Sequence, residues 1–148
     1  MRRFVILLIA ILGLGIGAFA QLSNQQMRPG QNTHYYNSQS GSNGKTRTVG
    51  NTTYYCDVGG HLEKRTVTNG SRTTFYDASG RIIGHSQESG NTTRYTNANG
   101  SNAGRSVQNG NTTRYYDNNG RNNGPSTTNG NTTRFYNQIG SNAGRMVK

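Results

Sequence analysis

Apolar side chains follow two different patterns along this chain. The first is a nearly continuous run, Phe4 to Ile16, interrupted only by Gly13 and Gly15. The second begins after it: Tyr55, Phe75, Tyr95, Tyr115 and Phe135 each stand five residues after a glycine, and those glycines, Gly50, Gly70, Gly90, Gly110 and Gly130, recur every 20 residues. Gly30 opens the same series. Polar residues fill the intervals, in a phrase best preserved from Gly110 to Arg121 as Gly-Asn-Thr-Thr-Arg-Tyr-Tyr-Asp-Asn-Asn-Gly-Arg. A period of this length marks one supersecondary unit used several times, each copy presenting the same side chains in the same direction.

Turn residues divide each unit in two. Asn69-Gly70, Asn109-Gly110 and Asn129-Gly130 are dipeptides that accept positive φ at both centres of a tight hairpin turn. Ten residues after each opening glycine lies an Asx-x-x-Gly group: Asp57 to Gly60, Asp77 to Gly80, Asn97 to Gly100, Asp117 to Gly120 and Asn137 to Gly140. These suit a type I turn closed by a left-handed glycine. Between them remain segments of about six to eight residues, the length of a strand. The pattern predicts an all-β chain: six 20-residue β-hairpin repeats over residues 30–148, strung out as an extended meander. The alternative is a β-solenoid with one 20-residue coil per repeat. That arrangement wants regular inward aliphatics, which the chain lacks, and it would stack Arg94, Arg114 and Arg134 at the spacing of adjacent strands, roughly 4.8 Å.

Counting outward from a two-residue turn at Asn109-Gly110 puts Val107 across from Thr112, Arg105 across from Arg114, and Gly104 across from Tyr115. One face then carries the aromatic of each repeat over a glycine of the preceding one. The other gathers Arg105, Arg114, Tyr116 and their equivalents, with His85 opposite Arg94 and Cys56 in the place of the second tyrosine.

Charge sharpens that picture. The net charge is +11, from 16 basic against five acidic residues, so the recurring arginines cannot all be neutralised within the chain. Paired arginines across two strands repel unless an anion lies between them or tyrosine rings carry the guanidinium groups. A periodic basic and aromatic surface is suited to polyanions. The candidate polyanion-binding residues are Arg94, Arg105, Arg114, Arg134, Arg145, Tyr116 and Tyr136.

Residues 1–20 read as a cleavable signal peptide: Arg2 and Arg3 precede the apolar run, and Ala18-Phe19-Ala20 supplies the small-x-small cleavage pattern. The run is short for a membrane span, so no stable transmembrane segment is expected after cleavage. Residues 21–29 read as a flexible lead-in. Export places the product outside the cell, on its surface or in the periplasm.

Thr73-Thr74-Phe75-Tyr76-Asp77-Ala78-Ser79-Gly80-Arg81-Ile82-Ile83, and Tyr116-Asp117-Asn118-Asn119-Gly120-Arg121 up to its arginine, resemble the YD repeat of bacterial RHS-type surface and toxin-delivery proteins. The pattern is an aromatic, Tyr-Asp, two variable residues, then Gly-Arg and an aliphatic. Thr96, Asn97 and Asn137 depart from it. The resemblance implies hairpin repeats and a surface or extracellular location.

Chemistry beyond binding has little to stand on. His34, His61 and His85 fall at different places in their repeats, and the Asp residues occupy turns; no catalytic set, metal site or cofactor is expected, and the chain does not read as an enzyme. Two roles remain. The first is structural, with strand edges self-associating into a fibre or matrix, and it ranks ahead because the repeat is the main content of the chain. The other is a binding module for an acidic surface glycan, lipopolysaccharide or extracellular DNA.

Overall fold

A computed structural model describes residues 32–37 and 41–148. The expected signal peptide and lead-in lie outside them. The rest is strand and turn: β1 (Asn32–Asn37), β2 (Ser42–Val49), β3 (Thr52–Cys56), β4 (Leu62–Asn69), β5 (Arg72–Asp77), β6 (Ile82–Ser89), β7 (Thr92–Asn97), β8 (Asn102–Asn109), β9 (Thr112–Tyr116), β10 (Asn122–Asn129), β11 (Thr132–Tyr136) and β12 (Asn142–Val147). The all-β hairpin meander is present as expected, and it closes into a barrel because β12 returns to pair with β1. The seam sets Tyr35 against Met146 and Tyr36 against Arg145, the register in which Phe135 meets Ser126 in the β10–β11 hairpin. The sixfold repeat therefore runs unbroken around the barrel.

Closure has a local cause at the start of each second strand. Tyr95 pairs with Gly104 but Thr96 with Asn102, so Ala103 is an extra residue in β8. Equivalent shifts occur in β2, β4, β6, β10 and β12. The Asn102 side-chain oxygen accepts the Gly104 amide at 3.1 Å, and Asn122 and Asn142 hold Gly124 and Gly144 in the same way at 2.8 and 3.0 Å. A β-bulge bends its strand and increases the local twist. Repeated once per hairpin in the same place, it curls the meander on itself.

The hairpin turn is not where the dipeptides place it. Gly110 and Asn111 form the turn, with Asn109 paired to Thr112. Gly110 takes φ +55°, so glycine rather than asparagine fills the first left-handed position. Val107 consequently faces Arg114, and Arg105 faces Tyr116. The slip is of even parity, so every side chain stays on its expected face while its partner changes. Tyr35, Phe75, Tyr95 and Phe135 each meet a glycine of the following strand, Gly44, Gly84, Gly104 and Gly144. The Asx-x-x-Gly turns form as expected: Gly120 donates its amide to the Asp117 carbonyl at 3.1 Å, and the Asp117 carboxylate accepts the Arg121 amide at 2.8 Å.

The barrel is filled by rings and hydroxyls. Tyr35, Tyr55, Phe75, Tyr95, Tyr115 and Phe135 are all buried, together with Thr33, Thr53, Thr73, Thr93, Thr113 and Thr133 one turn of the pleat away. Tyr95 Oη lies 2.8 Å from Ser106 Oγ, and Tyr115 Oη 2.9 Å from Ser126 Oγ. Thr48–Thr53, Thr68–Thr73 and Thr128–Thr133 hydroxyl pairs at 2.9–3.0 Å form a second tier. Where the ring is Phe135, the place of the serine belongs to Met146, itself buried, so the hydroxyl is lost from both members at once. Aliphatics sit outside: Val58, Leu62, Ile82, Ile83 and Ile139 are exposed.

Lys64 stands where most other repeats have the bulge glycine, on the interior face opposite Tyr55. Burial lowers its ammonium group to about 8, and burial raises the phenols of Tyr35, Tyr55, Tyr95 and Tyr115 above their ordinary value.

Two outcomes follow from this packing. A methyl group at Gly104, where φ is +135°, would collide with the Tyr116 carbonyl oxygen, whereas one at Gly110 meets open space. Gly104→Ala should therefore lower stability by about 3 kcal/mol or more, and Gly110→Ala by only about 1 kcal/mol, the cost of the left-handed backbone, as read from urea midpoints. Stability should also depend on alkaline pH in two phases. Lys64 holds its proton less tightly folded than unfolded, so stability should rise from about pH 8 toward 10.5. The buried phenols hold theirs more tightly when folded, so stability should fall above about pH 10. Lys64→Met should abolish the rise and leave the fall.

Candidate functional site: the outer arginine belt

Alternation along each strand decides what faces outward. In β9 and β11 the sequence Thr-Thr-Arg-aromatic-Tyr buries the second threonine and the aromatic and turns the arginine out. Arg94, Arg105, Arg114 and Arg134 are exposed, and Arg145, Tyr116 and Tyr136 are half-buried on the same outer surface. All seven expected binding residues thus lie outside the barrel, in a belt from β7 to β12.

The register then assigns partners. Arg94 lies directly across from Arg105, and Arg134 across from Arg145. Arg114 lies between Val107 and Pro125, not opposite Arg105 as the turn count implied. Tyrosines carry the second guanidinium of each arginine pair: Arg105 sits 4.9 Å above the centre of the Tyr116 ring, and Arg145 4.6 Å above that of Tyr36. Tyr136 faces outward across from Asn142.

Some of the belt was not among the expected residues. Arg65 lies 4.1 Å above the Tyr76 ring, and Tyr36 supports Arg145 across the seam. Both tyrosines occupy the sixth place after the opening glycine, the same place as Tyr116, which is the signal that identifies them. Farther round, Lys45 and Arg47 join Tyr54, Cys56, Val49 and Leu62 around an open groove of about 790 Å³. Cys56 pairs with Lys45 on this basic surface and is a free thiol.

His85 is a correction. It faces Thr96 and Thr74 rather than Arg94, and its ring lies 3.2 Å from the Thr74 hydroxyl. Burial and then the Arg72 charge lower its pKa, so it adds no positive charge at neutral pH.

Three of the five carboxylates are engaged in turns. Asp57, Asp77 and Asp117 sit in the Asx turns, where each accepts backbone amides. The Ser79 hydroxyl and the Arg81 amide hold the Asp77 carboxyl below its usual range, and the His61 amide does the same for Asp57. Arg94, Arg105, Arg114 and Arg134 have no ion-pair partner among the described residues. These four arginines thus carry uncompensated positive charge on the outer surface, and ring contacts order Arg105 and Arg145. Lipid does not suit it, since a membrane barrel presents an apolar band outward. Among the described residues no helix is long and apolar enough to cross a membrane, and no group of three or more His, Cys, Asp or Glu side chains converges.

No family model matches the chain, and no curated protein matches it in sequence.

Replacing Tyr116 with Leu should remove the ring beneath Arg105 while keeping an apolar side chain in place. Arg105 should lose its fixed orientation, seen as collapse of its Nε–H heteronuclear NOE, with a stability loss of about 1 kcal/mol.

Proposed function

We propose that the barrel is an exported module that binds an acidic polymer along its outer arginine and tyrosine belt. The observation that carries this reading is the direct pairing of Arg94 with Arg105 and of Arg134 with Arg145. Two like charges held across adjacent strands are destabilising by themselves, and an anion bridging them reverses the sign of that interaction. Tyr116 and Tyr36 fix one guanidinium of each pair and so lower the ordering cost of binding. The expected export signal and the likeness to YD repeats support an extracellular setting, in which acidic surface glycans, lipopolysaccharide and extracellular DNA are the available polyanions.

The structural role, a fibre or matrix grown by strand-edge pairing, needs free edges. Pairing of β1 with β12 leaves none on the closed barrel, so edge growth requires the seam to open. The binding reading needs no such rearrangement and is the one adopted.

Exchange of Arg94, Arg114 and Arg134 together for Gln should shift elution from a sulfated-polysaccharide resin to markedly lower salt. The slope of log affinity against log salt should fall by about 2 to 3, near one per lost anion contact. Unchanged elution would remove the belt as the binding surface.

A further inference from the structure

Repetition places a bulge in the second strand of every hairpin, but the side chains around it differ from copy to copy. Between β7, β8 and the turn after β9 lies a cleft of about 390 Å³, lined by Arg94, Thr96, Asn102, Arg105, Asp117 and Asn118. Gly104 lies at its base, and the lack of a side chain there allows the backbone of Tyr116 and Asp117 to close in. The wall is tied together by the Asn102 amide, which donates to the Asn118 carbonyl at 3.3 Å.

Three kinds of group converge here. Arg94 and Arg105 form the directly opposed cationic pair. Asp117 spends one oxygen, Oδ1, on the Asn119 and Arg121 amides, both at 2.8 Å, leaving Oδ2 able to accept another hydrogen bond. The Asn118 side chain, with both a donor and an acceptor, makes no hydrogen bond among the described residues. No other equivalent place with described side chains repeats the set: His34 and Lys45 accompany Asp57 and Val58, Tyr54 and Arg65 accompany Asp77 and Ala78, Thr74 and His85 accompany Asn97 and Ala98, and Arg114 and Pro125 accompany Asn137 and Gln138.

Resting on the polyanion-binding reading, we infer that this cleft is a subsite for an acidic sugar residue, with Arg94 and Arg105 holding its carboxylate or sulfate and Asp117 and Asn118 holding its hydroxyls. The choice among polyanions comes from Asp117. A carboxylate only accepts hydrogen bonds, so it needs a ligand that carries donors beside its anionic group. A sugar acid has hydroxyls there. The backbone of DNA offers phosphodiester oxygens, which are acceptors only and share the sign of Asp117. The cleft therefore favours a glycan of uronic or sulfated sugars over nucleic acid, although the rest of the belt attracts both.

The test is calorimetric titration of the purified protein with a mannuronate tetrasaccharide, an uncharged mannose tetrasaccharide and an eight-nucleotide single-stranded DNA. Asp117→Asn is the discriminating variant, because Asn97 and Asn137 fill the same turn position in other repeats and the fold is retained. The mannuronate should bind and the neutral sugar should not. Asp117→Asn should weaken the mannuronate about tenfold, the loss of one charge-assisted hydrogen bond, while tightening the DNA. Arg94→Gln with Arg105→Gln should abolish mannuronate binding. If Asp117→Asn tightens both anions alike, or if DNA displaces the mannuronate at equal affinity, the sugar assignment falls and the polyanion belt stands. If no anion binds the unaltered protein, both fall.

Discussion

A phenol buried away from water costs free energy unless another polar group answers it, and inside this barrel Tyr95 and Tyr115 meet that demand with serine hydroxyls. A barrel interior lined by tyrosines gains apolar burial from the rings but exposes each hydroxyl to a desolvation cost of about 1 to 3 kcal/mol if it is left unpaired. Here the serine of the neighbouring strand answers the tyrosine, as in Tyr95–Ser106 and Tyr115–Ser126. The threonine tier below pairs with itself. This is how a chain with only 29% hydrophobic residues sustains an interior without aliphatic packing.

Satisfying the interior leaves the outer surface free for charge. Because strands alternate strictly, a repeat that commits its threonine and first aromatic to the inside must present its arginine and second tyrosine outside. Three consecutive copies, with Arg94, Arg114 and Arg134, turn one such choice into a belt. Three of the five carboxylates, Asp57, Asp77 and Asp117, are held in the Asx turns by backbone amides, and none of these three forms an ion pair with the belt among the described residues. The outer arginine belt and the core composition are thus two sides of one periodic pattern, and Asp117 marks the place where a structural turn residue also borders the basic surface.

Much of this was legible from residue order. The hairpin unit, the Asx-x-x-Gly turns, the aromatic inner face and the arginine outer face all follow from period-two alternation and turn chemistry. Two features were not. Asn109-Gly110 signals a hairpin, but whether the turn is centred on that pair or on Gly110-Asn111 depends on which residue takes the first positive φ, and composition does not decide it. The resulting slip of register changed the partners of Arg105 and Arg114 without changing their face. Closure was hidden for a different reason: Asn102-Ala103-Gly104 reads as ordinary polar strand, and only pairing on both sides reveals Ala103 as the extra residue. A bend repeated identically in every hairpin is what converts an open meander into a barrel, and with it removes the free edges on which fibre growth was premised.

Interstrand contacts across the seam test the closed barrel most directly. Nuclear Overhauser effects between the backbone protons of Tyr35 and Met146 should appear with intensities matching those between Phe135 and Ser126, since the two pairs share one register. Strong effects within every hairpin but none between Tyr35 and Met146 would show an open meander and contradict the account.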